Sequence, residues 1–169
     1  AVHDVIGEYT SMLTGYAARG SYPVNSALEL RVTGLDDPAA VGVAGAQSPA
    51  ITALSMDAVD QANGWDVALW FDVLTIPGTS GADQFYGELE TWLLGRFTGS
   101  AGRVLPEWSK GWAYTATGPW TSTDFLTHVR STLTQGRSSD DDWAWETATL
   151  KGLDAGGLFG NPFLDMLFG

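Results

Sequence analysis

The chain has 169 residues and a formal net charge of −12, because 20 Asp and Glu residues outnumber eight Lys and Arg residues. Nucleic acids and anionic membranes bind clustered cations, so this composition argues against both as partners. With no cysteine, 44% hydrophobic residues and eight Trp, the chain cannot form a disulfide or a thiolate metal site and has enough apolar side chains for a folded core.

The first predicted elements are a helix and an amphipathic strand. Apolar residues at helical spacing predict a helix over residues 2–18 that ends before Gly20. Polar and apolar residues then alternate over residues 27–32, which predicts a strand with Glu29 and Arg31 on the face away from the apolar side chains, about 7 Å apart. Taken alone, this pair is an exposed ion pair on a solvated face, worth about 0–1 kcal/mol.

Further elements are predicted downstream: a candidate strand over residues 50–56, a strong strand over 65–75, helices over 80–97 and 122–133, and a docked apolar tail over 159–168. Asp72 shares a face of the strong strand with Trp70, so both are candidates for lining a cavity, although a strand-end Asp that meets solvent fits equally well. The pattern predicts an α+β fold in which an antiparallel sheet carries helices on one face and is followed by a helical C-terminal segment.

The segment at residues 103–112, RVLPEWSKGW, has the densest combination of chemically useful side chains. Two Trp residues and a Pro surround Glu107 and Lys110, in a chain with few cations. Such a segment is stiff, which suits a group that must point at a cofactor or a substrate. The alternative is a loop that packs its indoles into the core beside an extended Lys.

Together, the two motifs resemble the C-terminal part of the vanillyl-alcohol-oxidase-type flavoprotein oxidases. Those enzymes have a Glu-x-Arg strand pair and, later, an aromatic-Lys segment beside the flavin; here Glu29-x-Arg31 precedes Glu107-Trp108-x-Lys110. The surrounding sequence is most similar to the covalent-flavin (type II) cholesterol oxidases. The related aldonolactone and alditol oxidases usually have His-Trp-x-Lys at this position, and the Glu in this chain favours the steroid branch.

The resemblance implies FAD-dependent oxidation of a 3β-hydroxysteroid to a ketone, with O2 reduced to H2O2. A hydride passes to flavin N5, and Lys110 would balance the negative charge of the reduced flavin near N1 and the C2 carbonyl, beside Trp108. Arg31 would face the substrate hydroxyl or the N5 edge and would contribute to both catalysis and cofactor binding. Glu29 would hold Arg31 and move with it to gate a channel for O2.

Glu107 has a separate implied role as a proton carrier. Partial desolvation beside Trp108 favours its protonated form, and it could then serve the proton shift that isomerises a Δ5-ketosteroid to the Δ4 form. The alternative is an ion pair between Glu107 and Lys110 or Arg103.

The resemblance also implies that a flavin-binding half lies outside this sequence. Complete enzymes of this type have a Gly-rich pyrophosphate loop, whereas Gly152, Gly156 and Gly157 lack a strand-to-helix setting. His3 and His128 fall in predicted helices and do not match a flavin attachment site. The chain is therefore expected to be a C-terminal fragment or processed chain, without turnover on its own and with FAD bound mainly by other sequence.

In this interpretation, residues 1–112 belong to the substrate-binding (cap) domain and residues 113–169 form a C-terminal segment that returns to the FAD-binding domain. The apolar side chains of the tail are expected to face that domain. The expected partners are thus the N-terminal FAD-binding chain or domain of the same enzyme, the sterol and O2, with no metal. No apolar run reaches the roughly 18 residues of a membrane span. Acidity and few lysines favour an extracellular protein.

Two alternatives remain open. One is a fragment of an aldonolactone or alditol oxidase. The other is a non-catalytic, secreted, Trp-rich module that stacks sugars on exposed indoles. Such a module predicts a solvent-facing row of Trp65, Trp108, Trp112 and Trp120, whereas the oxidase predicts that Trp108 is buried beside the flavin.

Overall fold

The computed structural model describes residues 2–49, 51–108 and 121–169. Within them lie two strands, six α-helices and one 3₁₀ turn: α1 Val2–Ala18, β1 Leu28–Gly34, α2 Ala58–Asn63, β2 Val67–Val73, α3 Ala82–Arg96, the turn Gly99–Ala101, α4 Thr123–Thr132, α5 Trp143–Leu153 and α6 Pro162–Phe168. The predicted α+β class with an antiparallel sheet is confirmed. None of the described helices is both long and apolar enough to cross a membrane.

The sheet consists of β1 and β2 in antiparallel register, with Glu29 opposite Asp72 and Arg31 opposite Trp70. Directly opposed residues of such a pair lie on the same face. The predicted alternation is therefore confirmed, and it places Glu29, Arg31, Trp70 and Asp72 on one face.

The opposite face of the sheet packs against α1 and α3. Tyr9 of α1 and Phe85 of α3 are fully buried, and Leu30 and Phe71 of the sheet pack against the cluster that they form. Tyr9 contacts Phe71 edge to face, with ring centroids 5.3 Å apart. Both helices thus pack on the apolar face of the sheet, and neither packs on the polar face.

A second hydrophobic cluster forms around α4. Ser122 caps this helix by accepting a hydrogen bond from the Phe125 amide, which fixes where the helix begins. Phe125 and Val129 are buried, and Trp143 of α5 and Leu167 of α6 complete the cluster. Helices α4 to α6 therefore share a core of their own, beside the one under the sheet.

The C-terminal helix is docked onto this second cluster, as the sequence predicts. Leu167 is only 2% exposed. Arg130 donates from Nη2 to the Met166 and Leu167 carbonyls over 2.7 and 2.9 Å, and Lys151 donates from Nζ to the Phe168 carbonyl over 2.8 Å. Cations at the C-terminal end of a helix offset its negative dipole. Two of the chain's few cations thus hold α6 in place.

The apolar surface left open near the C-terminus agrees in part with the expected one. Leu164 and Phe168 pack against the chain's own α4 cluster rather than facing outward. The strongly exposed side chains are instead Leu153, Leu158 and Phe159, at 81%, 84% and 77%. Phe159, together with Phe163 at 41% exposure, belongs to the predicted tail. The open apolar surface therefore includes part of that tail and extends back to the end of α5.

Three local predictions are corrected by the structure. Residues 51–56 do not form a strand; they contribute a single isolated bridge between Asp36 and Ser55. Two helices were not predicted, and Asp57 caps α2 while Asp142 caps α5. Helix α3 begins after Gly81, which adopts a left-handed φ of 77°, without a side-chain cap from Thr79 or Ser80.

Glu90 of α3 makes the stability of the fold pH-dependent. Burial raises the pKa of its carboxyl from the ordinary value of 4.5 to about 7. The folded state therefore binds this proton more tightly than the unfolded state, so the stability contribution falls as pH rises from 4.5 towards 7 and is lowest above 7. Because the side chain is only partly buried, we expect a penalty of about 1 kcal/mol after solvent screening.

We therefore expect Glu90→Gln to raise the melting temperature at pH 8 by about 2–4 °C and to leave it nearly unchanged at pH 4. The matched control is Glu88→Gln on the same helix. The Tyr16 hydroxyl donates to Glu88 and lowers the pKa of that carboxyl, so its replacement should not stabilise the protein at pH 8. Calorimetry showing equal shifts for Glu90→Gln at both pH values would disprove the assignment.

Candidate functional site

The face of the sheet that α1 and α3 do not cover carries the candidate site. Strand β1 presents Glu29, Arg31 and Thr33, and β2 presents Trp70 and Asp72 beside them. The sheet forms this face because the strand period of two sends the alternating apolar residues to the opposite side. The ends of that apolar side are not well covered, since Leu28 and Val32 are 41% and 50% exposed.

Arg31 lies between two carboxylates on this face. Its Nη2 donates to Asp72 Oδ2 over 2.7 Å, and its Nε lies 3.2 Å from Glu29 Oε1. The Asp72 side chain is 15% exposed and that of Glu29 is 58% exposed. The predicted Glu29–Arg31 pairing is present, and the cross-strand pair with Asp72 is shorter and more buried.

The Arg31 guanidinium lies over the ring of Trp70. The Arg31 Cζ atom lies 5.8 Å from the ring centroid, within the range of a cation–π contact. The Trp70 Nε1 donates to Thr33 Oγ1 over 2.7 Å, which fixes the orientation of the ring. Thr33 was not predicted as a site residue, although its place in the same alternation as Glu29 and Arg31 could have indicated it.

This arrangement leaves one edge of the guanidinium available. Nη2 is engaged by Asp72 and Nε by Glu29, while Nη1 has no hydrogen-bond partner among the described residues. The Arg31 side chain is 43% exposed on the open face. It can therefore donate to an oxygen atom with negative charge that approaches the sheet from this side.

Trp108 belongs to a different part of the molecule. Its indole stacks on Trp143 with ring centroids 6.3 Å apart, and its Nε1 donates to the Ile51 carbonyl over 2.6 Å. The side chain is 37% exposed. One face of the indole therefore packs against the α4 cluster. Trp108 is thus neither fully buried, as the oxidase interpretation predicts, nor fully exposed, as a sugar-stacking platform requires. Glu107 beside it is half-buried.

Arg103 does not pair with Glu107, which was one of the predicted alternatives. It instead bridges two buried carboxylates at the start of α2: Nη1 donates to Asp57 over 2.8 Å and Nη2 to Asp60 over 2.6 Å. The Asp57 and Asp60 side chains are 5% and 2% exposed. Burial is the main cause that raises the pKa of Asp60, partly offset by a backbone hydrogen bond and by Arg103.

Three residues of the sequence-based predictions lie outside the described residues: Lys110, Trp112 and Trp120. The role assigned to Lys110 stays a prediction, and so does the Trp row of the carbohydrate-binding alternative. Among residues 2–49, 51–108 and 121–169, no cluster of His, Asp and Glu side chains could hold a metal ion.

Comparison with known proteins gives consistent matches. The family model described as "Cholesterol oxidase, substrate-binding" matches residues 1–169. A solvent-stable cholesterol oxidase is 37% identical with a TM-score of 0.82, and the match covers 98% of this chain and 31% of that protein. The crystal structure of cholesterol oxidase from B. sterolicum is 33% identical with a TM-score of 0.83, over 98% of this chain and 30% of that one.

A mutant cholesterol oxidase from Brevibacterium sterolicum gives nearly the same result, with 33% identity, a TM-score of 0.82, and coverage of 98% of this chain and 31% of that one. A comparison with curated proteins gave no match. The chain thus spans about a third of the length of the solved structures that it matches. The sequence resemblance is confirmed, and the chain belongs to the family of cholesterol oxidase substrate-binding domains.

Proposed function

We propose that this chain is the substrate-binding part of a FAD-dependent sterol oxidase, which converts a 3β-hydroxysteroid and O2 into a 3-ketosteroid and H2O2. The observation that carries the proposal is the Arg31 guanidinium, which is fixed on the polar sheet face while its Nη1 has no hydrogen-bond partner among the described residues. In a chain of this family, that face is where a sterol hydroxyl would be received. Asp72 and Trp70 line it.

Bound FAD would supply the redox chemistry, by accepting the two electrons of the alcohol oxidation. The described residues fit only one part of it. The exposed donor edge of Arg31 suits an anionic edge of an isoalloxazine ring, and Lys110 and Trp108 are proposed to complete this contact. No pyrophosphate loop is found in the described part, since Gly152 lies inside α5 and Gly156 and Gly157 follow it in a turn.

Arg31 would act by electrostatic stabilisation. As the alcohol is oxidised, negative charge develops on its oxygen, and a donor that is already oriented stabilises this charge without reorganising. Trp70 beneath the guanidinium excludes water from one side of Arg31. The side chain is 43% exposed in this chain, and a substrate seated on the face would lower the local dielectric further and strengthen the interaction.

Glu107 is proposed to carry the proton in an isomerisation of the Δ5-ketosteroid to the Δ4 form. The half-buried position of this carboxyl beside Trp108 supports the role, because a positioned carboxyl group can accept a proton and return it. Glu29 is proposed to support Arg31 and to move with it. Its side chain is 58% exposed, so it has room to do so.

The proposal includes a division of the chain. Residues 1–112 form part of the cap domain, and residues 113–169 contact the FAD-binding part of the same enzyme. The exposure of Leu153, Leu158 and Phe159 supports an additional contact surface near the C-terminus. Such side chains are rarely left uncovered together unless another surface packs on them.

The test uses the complete enzyme and the Lys110→Met variant. Loss of this cation should slow flavin reduction by saturating sterol by about 10²–10³-fold, because the negative charge of the reduced cofactor is left unbalanced. The control is Lys151→Met. Among the described residues, the Lys151 ammonium donates to the Phe168 carbonyl, and flavin reduction in this variant should proceed at the wild-type rate. Stopped-flow absorbance measures both, and equal wild-type rates would contradict the role of Lys110.

A substrate panel separates the remaining alternatives. The proposal expects reduction of the flavin by 3β-hydroxysterols and little or none by aldonolactones or alditols. The opposite order would identify a sugar-acting oxidase. Binding of an insoluble polysaccharide without any bound flavin would support the carbohydrate-binding module instead.

A further inference from the structure

Two diagonal contacts of the same kind cross the polar face of the sheet. In the register, Glu29 is opposite Asp72 and Arg31 is opposite Trp70. Arg31 reaches past its direct partner to Asp72, and Trp70 reaches past its own to Thr33. Diagonal neighbours in an antiparallel pair are about 7–8 Å apart at the backbone, within reach of long and aromatic side chains.

The two acidic partners of Arg31 are not equivalent. The Asp72 contact is a hydrogen bond of 2.7 Å to a side chain that is 15% exposed, whereas Glu29 is at 3.2 Å with 58% exposure. Short charge-assisted bonds with limited solvent access hold geometry well. Exposed pairs such as Glu29–Arg31 are weak, and their contacts are easily replaced by contacts with water.

We infer that Asp72, more than Glu29, is the residue that positions the Arg31 guanidinium for sterol oxidation. The inference rests on the function proposed above and deepens it. Asp72 accepts a hydrogen bond from Nη2, and the Trp70 ring lies against the guanidinium. These two side chains of β2 together fix the direction in which the third nitrogen, Nη1, can donate. Glu29 then contributes less to the position of the guanidinium and is a mobile partner of Nε.

The chemistry explains why a carboxylate is suited to this position. A guanidinium has five N–H donors in a planar fork, and fixing one nitrogen together with the ring plane fixes the direction of the others. Asp has a shorter side chain than Glu, so it loses less conformational freedom when it is held. Strand β2 is anchored from its other face, where Phe71 packs between Tyr9 and Trp92. Asp72 therefore lies on a strand that is held in place by the packing of its other face.

The experiment compares four variants of the complete enzyme: Asp72→Asn, Glu29→Gln, Arg31→Ala, and the double variant Asp72→Asn with Arg31→Ala. We expect Asp72→Asn to lower kcat by about 10–100-fold with KM changed less than about threefold, because a misdirected guanidinium affects the reaction more than binding. Glu29→Gln should lower kcat by less than about fivefold, since the Glu29 side chain is 58% exposed and its longer contact with Nε is easily replaced by water.

The double variant shows whether Asp72 acts through Arg31. In the Arg31→Ala background, Asp72→Asn should have little further effect, because residues that act as a unit are non-additive. Asp66→Asn is the matched control: Asp66 is an exposed residue just before β2, and the variant should keep wild-type activity. A crystal structure of Asp72→Asn should show the guanidinium displaced towards Glu29, a readout that does not depend on turnover.

Three outcomes would overturn the inference while leaving the proposed function in place. They are a larger loss for Glu29→Gln than for Asp72→Asn, additive losses in the double variant, and an undisplaced guanidinium in the crystal structure of Asp72→Asn. Wild-type flavin reduction by sterol in Arg31→Ala would instead overturn the proposed function and this inference together.

Discussion

Replacing Arg31 by Ala in the complete enzyme should lower kcat for sterol oxidation by a factor of about 10²–10³, the range for losing one preorganised electrostatic group. The fold should survive, because the side chain is 43% exposed and lies on the open sheet face. Stopped-flow measurement of flavin reduction under saturating sterol gives the rate directly, and near-UV circular dichroism confirms the fold.

The control for Arg31→Ala is Arg19→Ala at the end of α1. Arg19 also lies over an aromatic ring, with its Cζ atom 4.6 Å from the Tyr16 centroid, but it is away from the polar sheet face. This variant should reduce flavin at the wild-type rate. Wild-type rates in both variants would mean that the Glu29-x-Arg31 pair is a surface feature without a catalytic role.

Replacing Arg103 by Met should destabilise the fold by about 3–5 kcal/mol, because removal of one partner leaves buried charges uncompensated. Arg103 is the described partner of both Asp57 and Asp60, whose side chains are 5% and 2% exposed. The loss should be smaller at pH 5 than at pH 8. The pKa of Asp60 is already raised by burial, and protonation then removes one of the two charges.

The matched control for Arg103→Met is Arg96→Met. Arg96 pairs with Glu8 at 3.0 Å, but both side chains are more than a third exposed, at 37% and 39%, so the expected loss is much smaller than that of Arg103→Met. Urea unfolding of the two variants provides the comparison. Equal losses would show that the ion pairs of Arg103 contribute no more than a surface pair.

The strongest periodic patterns were sufficient to predict the elements that build the site. Residues 2–18 form the predicted helix, and the two strands fall within one or two residues of their predicted bounds. The alternation around Glu29 and Arg31 also gave their shared face correctly. These features follow from the spacing of apolar residues, which can be seen within a short stretch of sequence.

The pairing between strands could not be predicted in the same way. Arg31 and Asp72 are 41 residues apart in the chain, and their contact depends on a register that a shift of one residue would abolish. For the same reason, Asp72 was considered for a cavity but not as the partner of Arg31. Position along a strand gives the face of a residue, whereas its contacts depend on the neighbouring strand.

Short helices and buried charges were the other features beyond local pattern. Helix α2 has only six residues and is fixed by a reciprocal cap between Asp57 and Asp60. That pattern lacks the Ser or Thr and the Glu or Gln of the usual capping box. Arg103 reaches the same two carboxylates from 43 or more residues away, so a local ion pair with Glu107 was the wrong alternative to consider for it.

We propose above that this sheet face serves the oxidation of a sterol by bound flavin, and one experiment tests this role directly. The complete enzyme is mixed anaerobically with a saturating 3β-hydroxysterol, and the absorbance of the oxidised flavin is followed at about 450 nm. We expect full bleaching of the wild-type flavin within one turnover, and bleaching slowed about 10²–10³-fold in Arg31→Ala. Absence of bleaching by any sterol, with bleaching by an aldonolactone or alditol, would contradict it.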